Sequence, residues 1–462
     1  MQFIRLILLA VLFFPAPIFL SSATGNEAQA LWTVQNAVRF ALDNSPDARV
    51  AVQRIKAAHA TIDQAKSAFY PRLGISSGYS RTNNPMYSFG NILNQGVFNQ
   101  NMDFNDPGTT DNLNLATRLQ YRFYNGGRDR AALEAARAAK TATRMEQRAV
   151  HLRLAFEVVR AFCTIAQAGE TVQARESAVK AIEASLLVAR ARYDAGDLLR
   201  TDLLNLEVQK SSASENLIQA RHAFDLAGRA FLNLLGLEQG SVAIDTGSNM
   251  EQPLPDDLNF DNRPELAALS AMITAAESEV RKAKSGYYPT ADAFGSYQVD
   301  KGYHHEDSSG NSWGAGVKLN YSLFDGNLTT AAVEEAQARR GEAMEMKRKM
   351  ELAIHLEVEQ ASIALKQAEE RLRVTEKMIE QTLENARLYR ERFREGVALS
   401  TDLIDAENRL TDARLRHSLA RSSRRIAVAD LRRAVGLEQF GSQEIRGSGD
   451  QGIRGSDKIN HN

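Results

Sequence analysis

Carboxylates in two short matching segments are the residues whose spacing points to a chemical role. Asp202 and Asp402 each follow a threonine and precede a leucine, and Asp405 lies three residues beyond Asp402. On a helix, residues three apart share one face, and copies of such a face around one axis would attract cations. An aspartate after threonine is also common at any helix N-terminus, because it suits the cap and the helix dipole. The pattern predicts either a helix face that attracts cations or two plain helix starts.

Other reactive side chains favour no catalytic or cofactor site. Residues 304–307 read His-His-Glu-Asp, but adjacent residues rarely aim at one ion, so we interpret them as an exposed polar loop. The single cysteine, Cys163, excludes an internal disulfide framework and any multi-cysteine zinc site. The sequence offers no nucleophile–base constellation and no paired catalytic carboxylates. A net charge of -1 gives no bulk attraction to nucleic acid, so we expect neither an enzyme nor a nucleic-acid partner.

The aspartates belong to an internal repeat, which defines the elements that must position them. Asn44-Ser-Pro-Asp recurs 218 residues later as Asn262-Arg-Pro-Glu, and Arg192-Tyr-Asp-Ala-Gly recurs 200 residues later as Arg392-Phe-Arg-Glu-Gly. The difference of 18 residues must lie around positions 83–111, an Asn- and Gly-rich stretch that we interpret as a surface loop. Each copy predicts one plan of helix, strand, strand, long helix and helix.

The plan predicts the following bounds. The first repeat covers 31–240, with strands at about 72–82 and 112–124, a long helix at about 128–193 and a helix at about 201–235. A linker covers 241–263. The second repeat covers 264–440, with strands at about 290–300 and 312–324, a long helix at about 328–393 and a helix at about 401–435. A disordered tail covers 441–462.

The first 30 residues have the pattern of a secretory signal peptide. A basic start at Arg5 precedes the apolar run 6–14, and Ala28-Gln-Ala30 is typical of a cleavage site. No later run of 18 apolar residues exists, so a mature chain that crosses a membrane must do so as strands.

Two strand-like segments alternate apolar and polar residues with period two, as membrane-spanning strands do. A β-sandwich face is the alternative. Four strands are too few to close a barrel alone, so shared closure between chains is required. The residues expected to face lipid are Leu119, Tyr121, Trp313, Leu319 and Tyr321.

Taken together, the signal peptide, the duplicated plan, the Tyr-Pro helix stops and the Gly-x4-Thr-Asp-Leu turns resemble the TolC-like outer-membrane efflux proteins. The resemblance implies a mainly α chain with a transmembrane β part. It implies a homotrimer whose 12-stranded β-barrel, four strands from each chain, is continued by a long periplasmic α-helical barrel. Such a protein is a passive exit duct in the Gram-negative outer membrane, in contact with its lipid. It works with a periplasmic adaptor and an inner-membrane RND or ABC transporter.

In that family the helix-to-helix turns form the periplasmic entrance. The resemblance implies that Asp402, Asp405 and, less strongly, Asp202 line it; Asn205 replaces the second carboxylate of the first repeat. Adaptor contact is expected at Gly196, Leu198, Leu199, Gly396, Val397 and Ala398. Family members carry a locking arginine at the position of Ala398, and Arg200 or Arg394 could replace it. The rival interpretation is a soluble periplasmic coiled-coil protein with a structural or adaptor-like role. The sequence does not distinguish drug, metal or protein as cargo.

Overall fold

The computed structural model describes residues 31–245, 247, 252–303 and 308–440. The predicted signal peptide, the predicted disordered tail and the His-His-Glu-Asp segment at 304–307 lie outside the described residues. The helices are α1 Val34–Asn44, α2 Pro46–Lys66, α3 Pro85–Asn94, α4 Arg128–Asp194, α5 Arg200–Leu235, α6 Pro264–Lys284, α7 Leu328–Arg394 and α8 Ser400–Ala434. The strands are β1 Leu31–Trp32, β2 Arg72–Thr82, β3 Thr110–Tyr124, β4 Ala243–Ile244, β5 Thr290–Gly302 and β6 Ser308–Asn320.

Proline sets both ends of the shorter helices that lead into the sheet. α2 and α6 each have proline at the first helical turn, where its fixed φ fits and its missing N–H costs nothing. Both end in a 3-10 turn before a Tyr-Pro pair, because a residue before proline avoids helical geometry. α4 and α7 have 67 residues each, so each is about 100 Å long. No described helix has both the length and the apolar character needed to cross a membrane.

Shorter helices stack end to end beside the two long ones. α2 and α5 pack along α4, and α6 and α8 pack along α7. Gly236 ends α5 against the Asn44–Pro46 segment, and Gly436 ends α8 against Arg263, which directly precedes α6. α4 also contacts α6 and α8, so the two repeats form one helical body.

The largest core cluster lies where α1, α4 and α5 meet. Val158, Phe162 and Phe231 are fully buried there. Cys163 lies in the same cluster, and burial raises the pKa of its thiol to about 11. A second cluster joins α7 to α8 around Ile354 and Leu431. Burial of these side chains at small interhelical distances fixes the helices relative to one another.

β2, β3, β5 and β6 form one antiparallel sheet in that order. Leu119 of β3 pairs with Leu73 of β2 and with Gly295 of β5, and Gly295 pairs with Ala315 of β6. Because side chains alternate along a strand, this register places the odd-numbered positions of all four strands on one face. The apolar face so formed carries Leu73, Ile75, Leu115, Leu119, Tyr297, Trp313, Val317 and Leu319. The even-numbered positions form the polar face.

The structure corrects both bounds of one predicted strand. β6 begins earlier than predicted, at Ser308, and ends at Asn320, so Tyr321 lies beyond the strand instead of on it. The reason is the partner strand: Asn320 pairs with Thr290, and the residue before Thr290 is Pro289, which has no N–H to continue the ladder.

Two further differences concern segments interpreted as irregular. The predicted surface loop at 83–111 contains α3, which packs against β3, β5 and β6. Asn84 caps α3 by accepting from the N–H groups of Met86 and Tyr87. The predicted linker contains β4, whose two residues pair in parallel with β1. Elements this short carry no periodic signal, so only their partners reveal them.

Candidate functional site at the helical tip

The ends of four helices meet at the tip opposite the sheet. The turns 195–199 and 395–399 join α4 to α5 and α7 to α8. Beneath them lies a small core that contains Leu186, Leu206, Phe393 and Leu403, with Leu198 and Ala398 packed against it. Both turns therefore pack against one shared hydrophobic cluster, so the two helical hairpins are joined at the tip.

Left-handed glycines end the long helices. Gly196 and Gly396 both have a φ of 84°, a conformation that favours glycine. The N–H of the next residue, Asp197 or Val397, donates back to the carbonyl of Arg192 or Arg392 at 2.8 Å. Both turns thus have the same backbone geometry.

Arg192 links the first repeat to the second at this tip. Its guanidinium donates to the carbonyl of Phe393 at 2.9 Å and to the carbonyl of Asp197 at 3.2 Å. It also lies 5.3 Å from the centroid of the Phe393 ring, a cation–π distance. One side chain therefore ties the end of α7 to the turn that follows α4.

A second link joins the starts of α5 and α8. The hydroxyl of Ser400, which is fully buried, donates to Asp202 Oδ1 at 2.5 Å. The Asp202 carboxylate therefore forms a hydrogen bond between α5 and α8 instead of facing open solvent. In the part of the chain that the structure describes, neither Arg200 nor Arg394 makes a side-chain hydrogen bond or an ion pair.

Arg192 is a residue that sequence reasoning missed. The signal that could have found it is its place in the repeated Arg-aromatic-x-x-Gly pattern, directly before the glycine turn. The repeat does not reveal its partner, because the corresponding Arg392 is exposed and makes no such contact among the described residues.

The other two predicted entrance carboxylates are exposed. Asp402 and Asp405 lie in the first two turns of α8. Asp405 forms an ion pair of 2.8 Å with Arg409, and both of these side chains are more than 60% exposed. The structure therefore puts Asp402 and Asp405 on an open face of α8 and Asp202 in the link to Ser400.

Apart from the two glycines, the predicted adaptor-contact residues divide into two groups. Leu199 and Val397 are 71% and 75% exposed. Leu198 and Ala398 instead pack against the tip core. Leu199 and Val397, one from each turn, therefore form an exposed apolar surface at the tip.

Below the turns, an arginine–glutamate pair recurs in both repeats. Arg390 donates to both carboxylate oxygens of Glu407, and the Glu407 side chain is only 4% exposed. This hydrogen bond raises the pKa of Arg390 above its usual value. The corresponding Arg190 contacts Glu207 at 3.1 Å with both side chains largely open to solvent. The pair braces α7 against α8 more firmly than α4 against α5.

At the other end of the molecule, the apolar face of the sheet is uncovered. Leu119, Trp313 and Leu319 are 45%, 78% and 68% exposed, and Tyr121 on the same face is 39% exposed. On the polar face Arg122 donates to Asp292 at 2.8 Å. Within the described residues, no cluster of three or more His, Cys, Asp or Glu side chains has the geometry to hold a metal ion.

The chain is mainly helical and carries a four-stranded sheet that is apolar on one face and polar on the other. The family model "Outer membrane efflux protein" matches residues 37–237 and 258–437. The outer membrane protein TolC of Vibrio cholerae is 23% identical and covers 91% of this chain and 94% of its own length. The outer membrane protein OprJ of Pseudomonas aeruginosa is 23% identical and covers 87% of this chain and 84% of its own length.

Solved structures have the same fold. The outer membrane protein VceC of Vibrio cholerae superposes with a TM-score of 0.70 at 20% identity and covers 88% of this chain and 97% of its own. The MtrE outer membrane channel of Neisseria gonorrhoeae superposes with a TM-score of 0.71 at 18% identity and covers 88% of this chain and 91% of its own. The predicted fold class is confirmed.

The chain belongs to the outer membrane efflux protein family. It is an outer-membrane exit duct that extends into the periplasm.

Proposed function

We propose that three copies of this chain form one passive duct, each contributing four strands to a shared barrel and its long helices to a periplasmic tunnel. The observation that carries the proposal is the sheet register, which collects the apolar side chains of four strands on one face. β2 and β6 are the outer strands of this sheet, and their unpaired edges suit pairing with neighbouring copies. Lipid covers the apolar face, and the polar face lines the lumen.

The tip is the entrance of the proposed duct. Three copies bring Asp402 and Asp405 together around one axis, which gives six carboxylates in a narrow opening that attracts cations. Asp202 acts differently: its bond to Ser400 and the Arg192–Phe393 link hold the two repeats together. These two links replace the locking arginine, whose position Ala398 holds in this chain. The entrance therefore opens only when the links break.

The exposed apolar tip surface, Leu199 and Val397, suits a periplasmic adaptor that delivers cargo from an inner-membrane RND or ABC transporter. In this proposal the duct is passive, and the inner-membrane transporter supplies the energy. Among the relatives, AprF of Pseudomonas aeruginosa is named an alkaline protease secretion protein, whereas FusA of Burkholderia cepacia is named a fusaric acid resistance protein. These names refer to different cargoes within one family, which supports the proposal that a partner, and not the duct, selects the cargo.

The test of the duct is a double variant on the apolar face. Leu119→Asp with Leu319→Asp puts two charges where lipid is proposed, and a charge on the lipid-facing side of a barrel strand disfavours insertion. We expect the unaltered chain to be a trimer in the outer-membrane fraction by light scattering in detergent, and the variant to be lost from that fraction. Gln120→Asp with Ser312→Asp, on the polar face of the same sheet, is the matched control and leaves insertion intact.

A soluble periplasmic monomer from the unaltered chain would contradict the duct and support the coiled-coil protein in its place. Equal insertion of both double variants would show that the apolar face does not contact lipid.

A separate experiment tests the entrance. In a planar bilayer with a KCl gradient, Asp402→Ala with Asp405→Ala is expected to lower the preference for potassium over chloride. Asp412→Ala, which removes an exposed carboxylate paired with Arg416 farther along α8, is the control. Unchanged selectivity in the double variant would rule out the carboxylate ring while leaving the duct itself in place.

A further inference from the structure

The polar face of the sheet concentrates cations at the end nearest the helices. Arg72, Arg118, Arg122 and Lys318 lie on this face and define what we name the cationic belt. All four are exposed side chains. Neither the family description nor the tip geometry assigns them a role.

The strand register brings the four residues close together. Arg122 and Lys318 both lie in the row of Asp292, since Asp292 pairs with each of them. Arg72 lies in the next row and Arg118 in the row after that. Because a strand rises about 3.3 Å per residue, the belt is about 13 Å high along the strands.

The belt keeps a net positive charge. Asp292 is the one carboxylate of the sheet within it, and this side chain is 8% exposed and bonded to Arg122. Arg72 and Arg122 also line a recess of about 110 Å³ with Asp129, from the start of α4. Four cations against these two carboxylates leave a charge of +2 for each chain. Within the described residues, no carboxylate forms an ion pair with Arg72, Arg118 or Lys318.

The remaining carboxylate of the polar face lies at the opposite end of the sheet. Asp300 is 2% exposed and accepts from Asn112 at 2.6 Å, from Asn114 at 2.8 Å and from Gln298 at 3.2 Å. Eight residues separate it from Asp292 along β5, about 26 Å of strand. It therefore does not neutralise the belt.

We propose that the cationic belt forms an anion-binding ring that takes the carboxylate and phosphate groups of cargo as it passes from the helical tunnel into the barrel. The proposal rests on the trimeric duct, in which three belts bring twelve cations to one lumen. Guanidinium groups bind carboxylate and phosphate in bidentate geometry, and rings of Arg or Lys select anions in pores. The duct then has carboxylates at its entrance and cations where the helical tunnel joins the barrel.

The test measures ion selectivity after removal of belt charges. The variant is Arg118→Gln with Lys318→Gln, studied as the detergent-purified trimer in planar bilayers with a tenfold KCl gradient. Both this variant and the channel it is compared with also carry Asp402→Ala and Asp405→Ala, so that the entrance carboxylates do not determine the measured ion selectivity. We expect the ratio of potassium to chloride permeability to rise by about threefold or more, because six of twelve lumen cations are gone. Inorganic phosphate is expected to reduce the current of the comparison channel and to have a weaker effect on the variant.

The matched control is Arg81→Gln with Lys301→Gln, which removes two cations from the opposite face of the same sheet. It is expected to leave the permeability ratio and the phosphate effect unchanged. Arg118→Lys with Lys318→Arg keeps the charge and should keep the selectivity. A channel of normal conductance whose selectivity is the same in all variants would overturn the belt. The absence of any channel from the unaltered chain would instead overturn the duct, and the two failures are thus distinct.

Discussion

The tips of the two repeats share two arginines, a glycine, a Thr-Asp-Leu motif and a glutamate, but these residues have different surroundings. Arg190 and Glu207 of the first repeat correspond, 200 residues later, to Arg390 and Glu407 of the second. The first pair is exposed and joined by one contact, whereas the second is bidentate around a buried carboxylate. The same two side chains thus form a surface ion pair in one copy and a structural brace in the other.

The other corresponding positions differ in the same way. Arg192 bonds to the opposite repeat and Arg392 does not, and Asp202 is occupied by Ser400 while Asp402 is open. The cause is the place of α8, which packs against α4 and α5 as well as α7. Residues that the two repeats share therefore take different roles according to what packs against them.

The largest expected difference between the copies is in the arginine–glutamate pairs. Arg390→Gln leaves the Glu407 carboxylate buried without its charged partner, at a cost of about 2–4 kcal/mol. Arg190→Gln breaks an exposed pair and should cost less than about 1 kcal/mol. Amide hydrogen exchange over 400–410 should therefore accelerate by about 30-fold or more in the first variant and by less than about fivefold at 200–210 in the second. Equal acceleration in both would show that burial of Glu407 is not what separates the repeats.

A smaller difference is expected from the arginines that precede the glycine turns. Arg192→Gln removes two hydrogen bonds to carbonyls and the contact with the Phe393 ring, about 1.5–3 kcal/mol in all. We expect the closed entrance to open more often, which single-channel recording would detect as about tenfold or greater open probability. Arg392→Gln is the control and should behave like the unaltered chain. If both variants conduct alike, the link through Arg192 does not hold the entrance closed.

The smallest difference is expected at the glycines themselves. Gly196→Ala and Gly396→Ala each force a side chain into φ 84°, at a cost of about 1 kcal/mol. At position 396 the new Cβ would also lie 3.3 Å from Arg192 Nη2, whereas at 196 it would meet nothing within 4 Å. Exchange at the second turn should therefore accelerate about twofold more than at the first. The reverse order would show that the Arg192 contact is not sensitive to this spacing.

Much of the fold follows from local signals that the sequence carries openly. Pro71 and Pro289 stop two helices wherever the chain folds, because the residue before proline avoids helical geometry. Period-two alternation sets the two faces of β3 and β6, and the left-handed glycines end α4 and α7. Tyr321 was assigned to a strand wrongly because alternation continues past the last residue that has a partner.

The candidate site depended on information that no local pattern contains. Asp402 and Asp405 share a face by spacing alone, yet Asp202 lies in the same Thr-Asp-Leu triplet as Asp402 and is bonded to a residue 198 positions away. Arg192 likewise differs from Arg392 because it donates to the carbonyl of Phe393. The cationic belt exists only because the strand register aligns residues of β2, β3 and β6.

By itself the sequence determined the repeat, the helix ends and the alternation of the strands, since each depends on backbone conformations and on neighbours within a few residues. Tertiary structure alone decided which copy of each repeated residue is buried, paired or exposed. A residue that both repeats carry has similar local preferences in each copy, so its burial and its partners depend on the surface that packs against it.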